Sequence, residues 1–442
     1  MSSITVSRFL NEEVVDFASY STLRAIGSLI DGQKNAGRKV IYSMANRPNK
    51  ETKLSILAGL IMTDTEYLHG DISGSIVTLA QNYVGSNNIP LLTREGNFGT
   101  RFTPEASAIR YIFTNKESYF NDVFNPEDNN ILISQEFEGT VIEPRFFVPS
   151  IPLILVNGSE GIATGFAQKI LPRNLNTIKE YINNYLEGKP LPELTPYYNG
   201  FNGAIKPGEN TNQWVIGGVY EKRHLTRVLV TELPVGYTLS SYTKILDDLE
   251  DKKIIKSYSD LSENDMFKFE ISMDNNTIAN NFDGIGGILK LNKTVTENFT
   301  VMDENNRVVD YNSPEEVINH YIRIKLEYLD KRKSYLINKI NNDLLLLASK
   351  YLFVKGVTEN TIIVSKMKKD EIISQLNLPE NDRIITYEES YDYLLKMPIY
   401  SLTSEKLEEL LNKIKNLQVE LKTIKETHIN DTWVKELNII KG

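Results

Sequence analysis

The stretch Ser28-Leu-Ile-Asp-Gly-Gln-Lys-Asn-Ala-Gly-Arg-Lys-Val-Ile-Tyr42 joins two helical patterns through a basic loop. Before it, residues 9–30 place Phe9, Val14, Phe17 and Leu23 on roughly one side of a helix. The Asp31–Gly32 pair breaks that pattern. Beyond the loop, a second helix is predicted over about Arg38–Ala45, and two more over 53–64 and 72–84, joined by the polar elbow Glu66-Tyr-Leu-His-Gly-Asp71. Residues 87–113 then read as extended and rich in turns.

Short helices around a basic loop, followed by glycine-punctuated extended segments, predict a DNA-binding unit of winged-helix type. The charge supports this locally while opposing it globally. Net charge is -9, from 49 basic and 58 acidic residues, whereas phosphate contacts need clustered Lys and Arg. Between Arg24 and Lys53, however, Arg24, Lys34, Arg38, Lys39, Arg47, Lys50 and Lys53 face only Asp31 and Glu51. An acidic protein with such a patch can still grip DNA there.

From about residue 145 the pattern changes. Phe146-Phe-Val-Pro149 and Ile151-Pro-Leu-Ile-Leu-Val156 are apolar runs that predict strands, and residues 175–187 an amphipathic helix. Pro190–Pro196 reads as a linker. Runs at Gln213–Tyr220, Arg227–Leu233 and Phe267–Met273 predict strands around a helix near Leu239–Leu249, a separate α+β domain. The last third is helical. From Pro314 to about Tyr351, the pairs Tyr321/Ile322, Tyr328/Leu329 and Tyr335/Leu336 recur at seven-residue spacing. A second helix from Ser404 carries Leu407, Leu410, Ile414, Leu417, Leu421 and Ile424 as a coiled-coil seam. The two would form a long antiparallel arm, with residues 352–403 as a globular knob at its far end.

Composition bounds the rest. At roughly 150 residues per domain, 442 residues predict about three domains. Hydrophobic residues at 41% and charged residues at 24% are ordinary globular values, which excludes a disordered chain. No run of 18 uncharged apolar residues occurs, and Met1–Phe17 lacks the basic and apolar regions of a secretory signal. The expectation is an intracellular protein without a membrane partner. With no cysteine, and His69, His224, His320 and His428 far apart, neither a thiolate nucleophile nor a zinc motif is available.

The segment Ala106-Ser-Ala-Ile-Arg-Tyr-Ile-Phe113 sets Arg110 directly before Tyr111, with no other nucleophile of comparable context nearby. An ordinary tyrosine hydroxyl ionises near pH 10 and attacks phosphorus only with help from a base and from cations. Its surroundings raise the significance of the pair. Together with Ser28–Tyr42, the runs Leu68-His-Gly-Asp71, Ala80-Gln-Asn-Tyr-Val-Gly-Ser-Asn-Asn88, Gly96-Asn-Phe-Gly-Thr-Arg101, Ala106–Thr114, Val156-Asn-Gly-Ser-Glu-Gly-Ile-Ala-Thr-Gly165, Pro196–Ile205 and Tyr391–Thr403 resemble the breakage-and-reunion part of type IIA DNA topoisomerases. The resemblance covers about residues 10–437. Its wording is closer to the eukaryotic enzymes than to bacterial gyrase, and its length is similar to the medium subunit of T4-like phage topoisomerases.

The resemblance implies a multidomain α+β fold: residues 1–145 an N-terminal helix plus winged-helix catalytic domain, 146–312 an α/β tower domain, and 313–442 the coiled-coil arm with its dimer gate at about 352–403. It implies Tyr111 as the nucleophile of a transient 5′-phosphotyrosyl link, Arg110 as its transition-state neighbour, and Arg24 reaching the scissile phosphate region. It also implies DNA contacts from Lys34, Arg38, Lys39, His69 and Asn97, and Ile162 as an apolar wedge that bends the cleaved duplex. Asn35 stands where the family has proline, and Leu68 departs before His69; neither removes a charged or nucleophilic group.

No GxxxxGK[ST] loop and no acidic Mg²⁺-binding strand motif occurs. The chain is therefore expected to bind no metal or ATP alone, and to act as a homodimer on double-stranded DNA with a partner subunit that carries the ATPase and Mg²⁺ sites. Without a wrapping domain after the arm, relaxation or decatenation is expected rather than supercoiling. Two other readings stand beside this one. A non-enzymatic DNA clamp of the same fold would not need Tyr111, Arg110 and Arg24; a tyrosine recombinase would not carry the arm or the Ile162 segment.

Overall fold

The computed structural model describes residues 5–224, 226–274 and 284–441. Leu225 and residues 275–283, within the segment predicted to alternate strands, lie outside them, as do residues 1–4, residue 442 and the side chain of Ile399. The chain divides into two compact units, Met1–Lys325 with Val434–Gly442, and Leu326–Trp433.

The first unit begins with a helix that passes through a π turn at Phe9–Glu13 and continues as Val14–Ala25. It stops short of the predicted end at residue 30. Ile26 turns extended, at φ −93° and ψ 129°, and Leu29 N donates to Met302 O at 2.9 Å. This turn buries Ile26, Leu29 and Ile30 almost completely. Each such burial contributes about 1.5–3 kcal/mol, more than another helical turn would. Helices Asn35–Ala45, Leu54–Asp64 and Ser73–Ala80 follow and pack together over Val40, Ile41, Leu54, Leu57, Ile61 and Ile76. The last of them ends before the predicted residue 84, because Gln81 becomes extended and its side-chain amide holds a neighbouring loop. Strands β1 (Thr52–Lys53) and β2 (Phe113–Thr114) pair antiparallel, Thr52 opposite Thr114. A hairpin of β3 (Gln135–Phe137) and β4 (Thr140–Ile142) comes next.

The predicted strands over 146–156 are not formed. Leu153–Val156 is one helical turn with all four side chains buried, introduced by Pro152 at φ −72°. A short apolar run enclosed on every side carries no periodicity to separate strand from helix, and proline presets the angle a first helical turn needs. Strands appear immediately afterwards as the hairpin β5 (Ser159–Ala163) and β6 (Phe166–Ile170). The helix Leu175–Glu187 matches its prediction.

A three-stranded sheet contains β7 (Ala204–Pro207) and β8 (Gln213–Gly217), with β13 (Asn292–Thr296) on the other side of β8. The predicted strand Gln213–Tyr220 is split at Gly218, where a side chain would meet Glu232 O at 2.4 Å. Strands β9 (Val219–His224), β10 (Arg227–Glu232), β11 (Ser257–Asp260) and β12 (Phe269–Ser272) form a second sheet in the order β11-β12-β10-β9, antiparallel throughout. The helix Leu239–Asp251 covers it, burying Tyr242, Leu246 and Leu249 against Val228, Val230, Phe269 and Ile271. The hairpin β14 (Phe299–Met302) and β15 (Val308–Tyr311) precedes the long helix.

The helix Pro314–Thr358 leads into the second unit and runs past its predicted end, and Ser404–Glu426 returns beside it. Their direction is antiparallel. Lys333 Nζ donates to the carbonyls of Lys425 and Thr427 at 3.0 and 2.8 Å, while Phe353 and Val354 share an apolar cluster with Leu407 and Leu410. Leu407, Leu410, Ile414, Leu417, Leu421 and Ile424 are all shielded, whereas Leu411 and Val419 are exposed. Between the two helices, Leu394 is buried, and Leu395, Met397 and Leu402 pack on the same cluster as Ile362, Leu376 and Ile384. These apolar residues support a small core of their own. Among the described residues, no helix is long and apolar enough to cross a membrane.

Candidate functional site

Tyr111 closes an irregular loop that departs after Glu95 and returns at Ile112. Glu95 and Phe113 exchange both backbone hydrogen bonds, at 2.9 and 3.0 Å. Ile112 is 1% exposed, and its carbonyl accepts from Leu54 N at 3.0 Å. With its neighbour pinned inward, Tyr111 is turned outward and is 65% exposed. The Arg110 guanidinium lies 5.0 Å from the centre of the Tyr111 ring. The loop itself is tight at Gly99, at φ +91°, where a side chain would meet Pro104 O at 2.3 Å. Asn97 is exposed, but its Oδ1 accepts from Gly99 N at 2.8 Å, so it shapes the turn as well. The Gln81 amide donates to the carbonyls of Phe98 and Pro104 at 2.8 and 3.0 Å. An exposed hydroxyl fixed in this way by its backbone, with a cation beside it, has the geometry to approach an anionic centre.

A second cluster is built on the end of the helix Val14–Ala25. Arg24 is exposed and sits 5.6 Å over the Tyr20 ring, one turn earlier on the same face. The Tyr20 hydroxyl is hydrogen-bonded to His69 Nε2, and Tyr67 packs edge-on against His69. Arg24 and His69 line a cleft of about 290 Å³, and Arg24 also lines a groove of about 940 Å³ together with Lys34, Glu160 and Lys169. Arg24, His69 and Lys34 are thus brought to one region. Tyr111 and Arg110 line neither cleft nor groove.

The basic patch is less free than its sequence implies. Arg38 makes a forked pair with Asp31, at 2.7 and 3.2 Å, and Asp31 is fully buried. Lys39 is 7% exposed and donates to Glu143 Oε2 at 2.8 Å and to Thr65 O at 2.7 Å. Arg47 pairs with Asp64 at 2.5 Å. Arg38 and Lys39, which the resemblance implies as DNA contacts, thus each hold a carboxylate inside the fold. Lys34 is half-buried and donates to Glu160 O at 2.6 Å. Burial pushes its ammonium below the ordinary value, with Glu160 opposing.

Glu160 belongs to the hairpin β5–β6, which carries Ile162 at its tip, 83% exposed. The hairpin is held against the end of the first helix: Thr164 N donates to Ser21 Oγ at 3.4 Å, and a side chain at Gly161 would meet Ala25 O at 1.9 Å. An isoleucine so exposed on so firmly held a strand is a poor choice for stability, and it suits insertion into an apolar or stacked partner. Sequence reasoning missed Tyr20 and Gln81. Tyr20 stands four residues before Arg24, a helical spacing that could have signalled the pair. Among the described residues, no group of three or more His, Asp or Glu side chains could hold a metal ion.

The sequence model of one protein family, that of the A-type subunit of DNA gyrase/topoisomerase IV, matches residues 24–438. The chain is similar to the mitochondrial DNA topoisomerase 2 of Dictyostelium discoideum, 32% identical over 99% of this chain and 35% of that one. It is also similar to the DNA topoisomerase 2 of Plasmodium falciparum, 32% identical over 98% and 34%. Among solved structures, the DNA-binding, cleavage and re-ligation domain of Plasmodium falciparum topoisomerase II superposes with a TM-score of 0.88 at 33% identity, over 97% of this chain and 63% of that chain. The chain spans about a third of the length of these two sequence relatives.

Proposed function

Because the chain belongs to the family of DNA gyrase/topoisomerase IV A-type subunits, we propose that it is the DNA-cleaving and rejoining part of a type IIA topoisomerase, with Tyr111 as its nucleophile. The observation that carries this reading is Tyr111 itself: an outward hydroxyl on a pinned loop, with a guanidinium 5.0 Å from its ring. The Tyr111 hydroxyl gives up its proton and its oxygen bonds to phosphorus as the 3′-oxygen leaves and takes up a proton, giving a 5′-phosphotyrosyl link and a free 3′-hydroxyl. Rejoining reverses the two bonds. Arg110 balances the charge that gathers on the phosphoryl oxygens. Arg24 and His69, on a separate cluster of the same chain, serve the scissile region of the duplex, while Lys34 and Asn97 support the backbone contact. Ile162 enters between base steps and bends the duplex.

The finer division belongs to the same proposal: a winged-helix catalytic domain over 1–145, a tower over 146–312 and a coiled-coil arm over 313–442 that closes a homodimer through its knob at 352–403. ATP and Mg²⁺ act through a partner subunit, the metal supplying Lewis-acid stabilisation of the reacting phosphate when bound there. The expected location is inside the cell, with the DNA. The test is reconstitution with a partner that carries both sites. Protein-linked 5′ ends are expected only with partner and Mg²⁺ present; cleavage by the isolated chain, or no adduct with an active partner, overturns the reading.

Salt dependence checks the place of Arg24, which is exposed and carries no carboxylate partner among the described residues. Arg24→Ala is expected to leave melting unchanged and to reduce the slope of log K against log salt by about 0.9, one phosphate contact. An unchanged slope in a filter-binding titration would remove Arg24 from the DNA surface.

A further inference from the structure

We propose that Asp265 and Glu232, both outside the nucleophile's own segment, are positioning residues that hold the Tyr111 loop to the neighbouring sheet. This rests on the reading of Tyr111 as the nucleophile. The loop is fixed at its end by Glu95, Ile112 and Phe113. Its midpoint is fixed by something else. The Asp265 carboxylate accepts from Arg101 N through Oδ2 and from Phe102 N through Oδ1, each at 3.1 Å. The Arg101 side chain is 6% exposed and pairs with Glu232 Oε1 at 2.5 Å. Its Nη2 donates to Leu233 O at 2.6 Å, and its guanidinium lies 4.8 Å over the Phe267 ring. Glu232 ends β10, and Asp265 sits in the turn between β11 and β12. Both holding points therefore belong to one sheet, and that sheet is not the one beside Tyr111.

The turn itself is tight, with Asn264 and Asp265 both in the left-handed region. Glu263 and Met266 exchange backbone hydrogen bonds at 2.9 and 3.2 Å, and Asp265 between them has φ +62°. Glycine fits such a position without strain. Aspartate tolerates it too, and its one carboxylate places an acceptor oxygen under each of two amides of the Tyr111 loop. Charged acceptors make the stronger hydrogen bonds. From Phe102 the chain runs past Pro104, held by Gln81, to Tyr111. A shift of the sheet thus reaches the nucleophile through a short, braced segment, and a displacement of about 1 Å at a reacting group can cost up to ~10²-fold in rate.

Asp265→Gly keeps the turn and removes both acceptors; Asp265→Asn tolerates the same backbone angle and keeps one acceptor oxygen. Three quantities are read: the rate of covalent adduct formation in the reconstituted enzyme, its DNA affinity, and amide hydrogen exchange over residues 101–111 of the full chain. For the glycine variant, adduct formation is expected to fall roughly tenfold or more, loop exchange to rise, and DNA affinity and melting temperature to hold. The asparagine variant should recover part of the rate. An unchanged adduct rate and unchanged loop exchange would overturn the proposal. So would a parallel loss of melting temperature, binding and rate, which marks a structural role alone. Should the glycine variant not fold, Asp265→Asn, which keeps the backbone angle and loses the charge, is held to the same two outcomes. If Tyr111→Phe still forms adduct, the nucleophile reading has failed; the exchange over 101–111 still reports on the clamp by itself.

Discussion

Tyr111→Phe should abolish the covalent protein–DNA link while folding and DNA binding stay at the level of the unaltered chain. The substitution removes one oxygen from a side chain that is 65% exposed, and among the described residues nothing is hydrogen-bonded to that oxygen. Surface changes of this kind usually stay within about 0.5 kcal/mol of stability. The ring remains, so the Arg110 guanidinium keeps its place over it. Only the nucleophile is lost. Where a sole nucleophile is removed, rate losses are on the order of 10⁶-fold. Denaturing the reconstituted enzyme on labelled DNA and counting protein-linked 5′ ends measures the effect directly. A Phe variant that still forms those links would show that the attacking oxygen lies elsewhere, and Arg110 would lose its assigned purpose as well.

How far the site can be read from sequence depends on whether its parts are neighbours in the chain. Arg110 and Tyr111 are adjacent, so their pairing is legible in the sequence alone. The six-position seam from Leu407 to Ile424 is legible because periodicity reports burial directly, and the same six positions are shielded in the fold. Ile162 is marked by its motif, and its side chain is 83% exposed. The partners of the basic patch are not legible. Glu143 stands far along the chain from Lys39, and no local pattern links a lysine to a carboxylate so remote. Asp31 reads as half of a turn signal, and its side chain also closes a buried pair with Arg38. The apolar run 151–156 misleads for a different reason: complete enclosure erases the alternation on which a strand assignment relies.

Those partners change what a charge reversal does. In a free patch, Arg38→Glu with Lys39→Glu would mainly flatten the salt dependence of DNA binding, by about 1.8 at 0.9 per lost contact. In this fold the double reversal should instead unfold the protein. Asp31 is fully buried and accepts from Arg38, from Gln33 N at 2.9 Å and from Phe147 N at 3.1 Å. A glutamate at 38 would place a second carboxylate against it. Lys39 and Glu143 have side chains 9% and 3% exposed, so a glutamate at 39 sets two more acids face to face and leaves Thr65 O without its donor. Breaking one buried pair costs about 3–5 kcal/mol, and a domain has about 5–15 kcal/mol in all. Two such breaks cost about 6–10 kcal/mol before any repulsion is added, enough to consume most or all of that stability. Circular dichroism on heating should therefore show no cooperative transition for the double variant, while Arg24→Ala melts like the parent. A double variant that melts within a few degrees of the parent and binds DNA with a flattened slope would mean that Arg38 and Lys39 leave their carboxylates for phosphate, and that the buried pairs are not what holds these helices together.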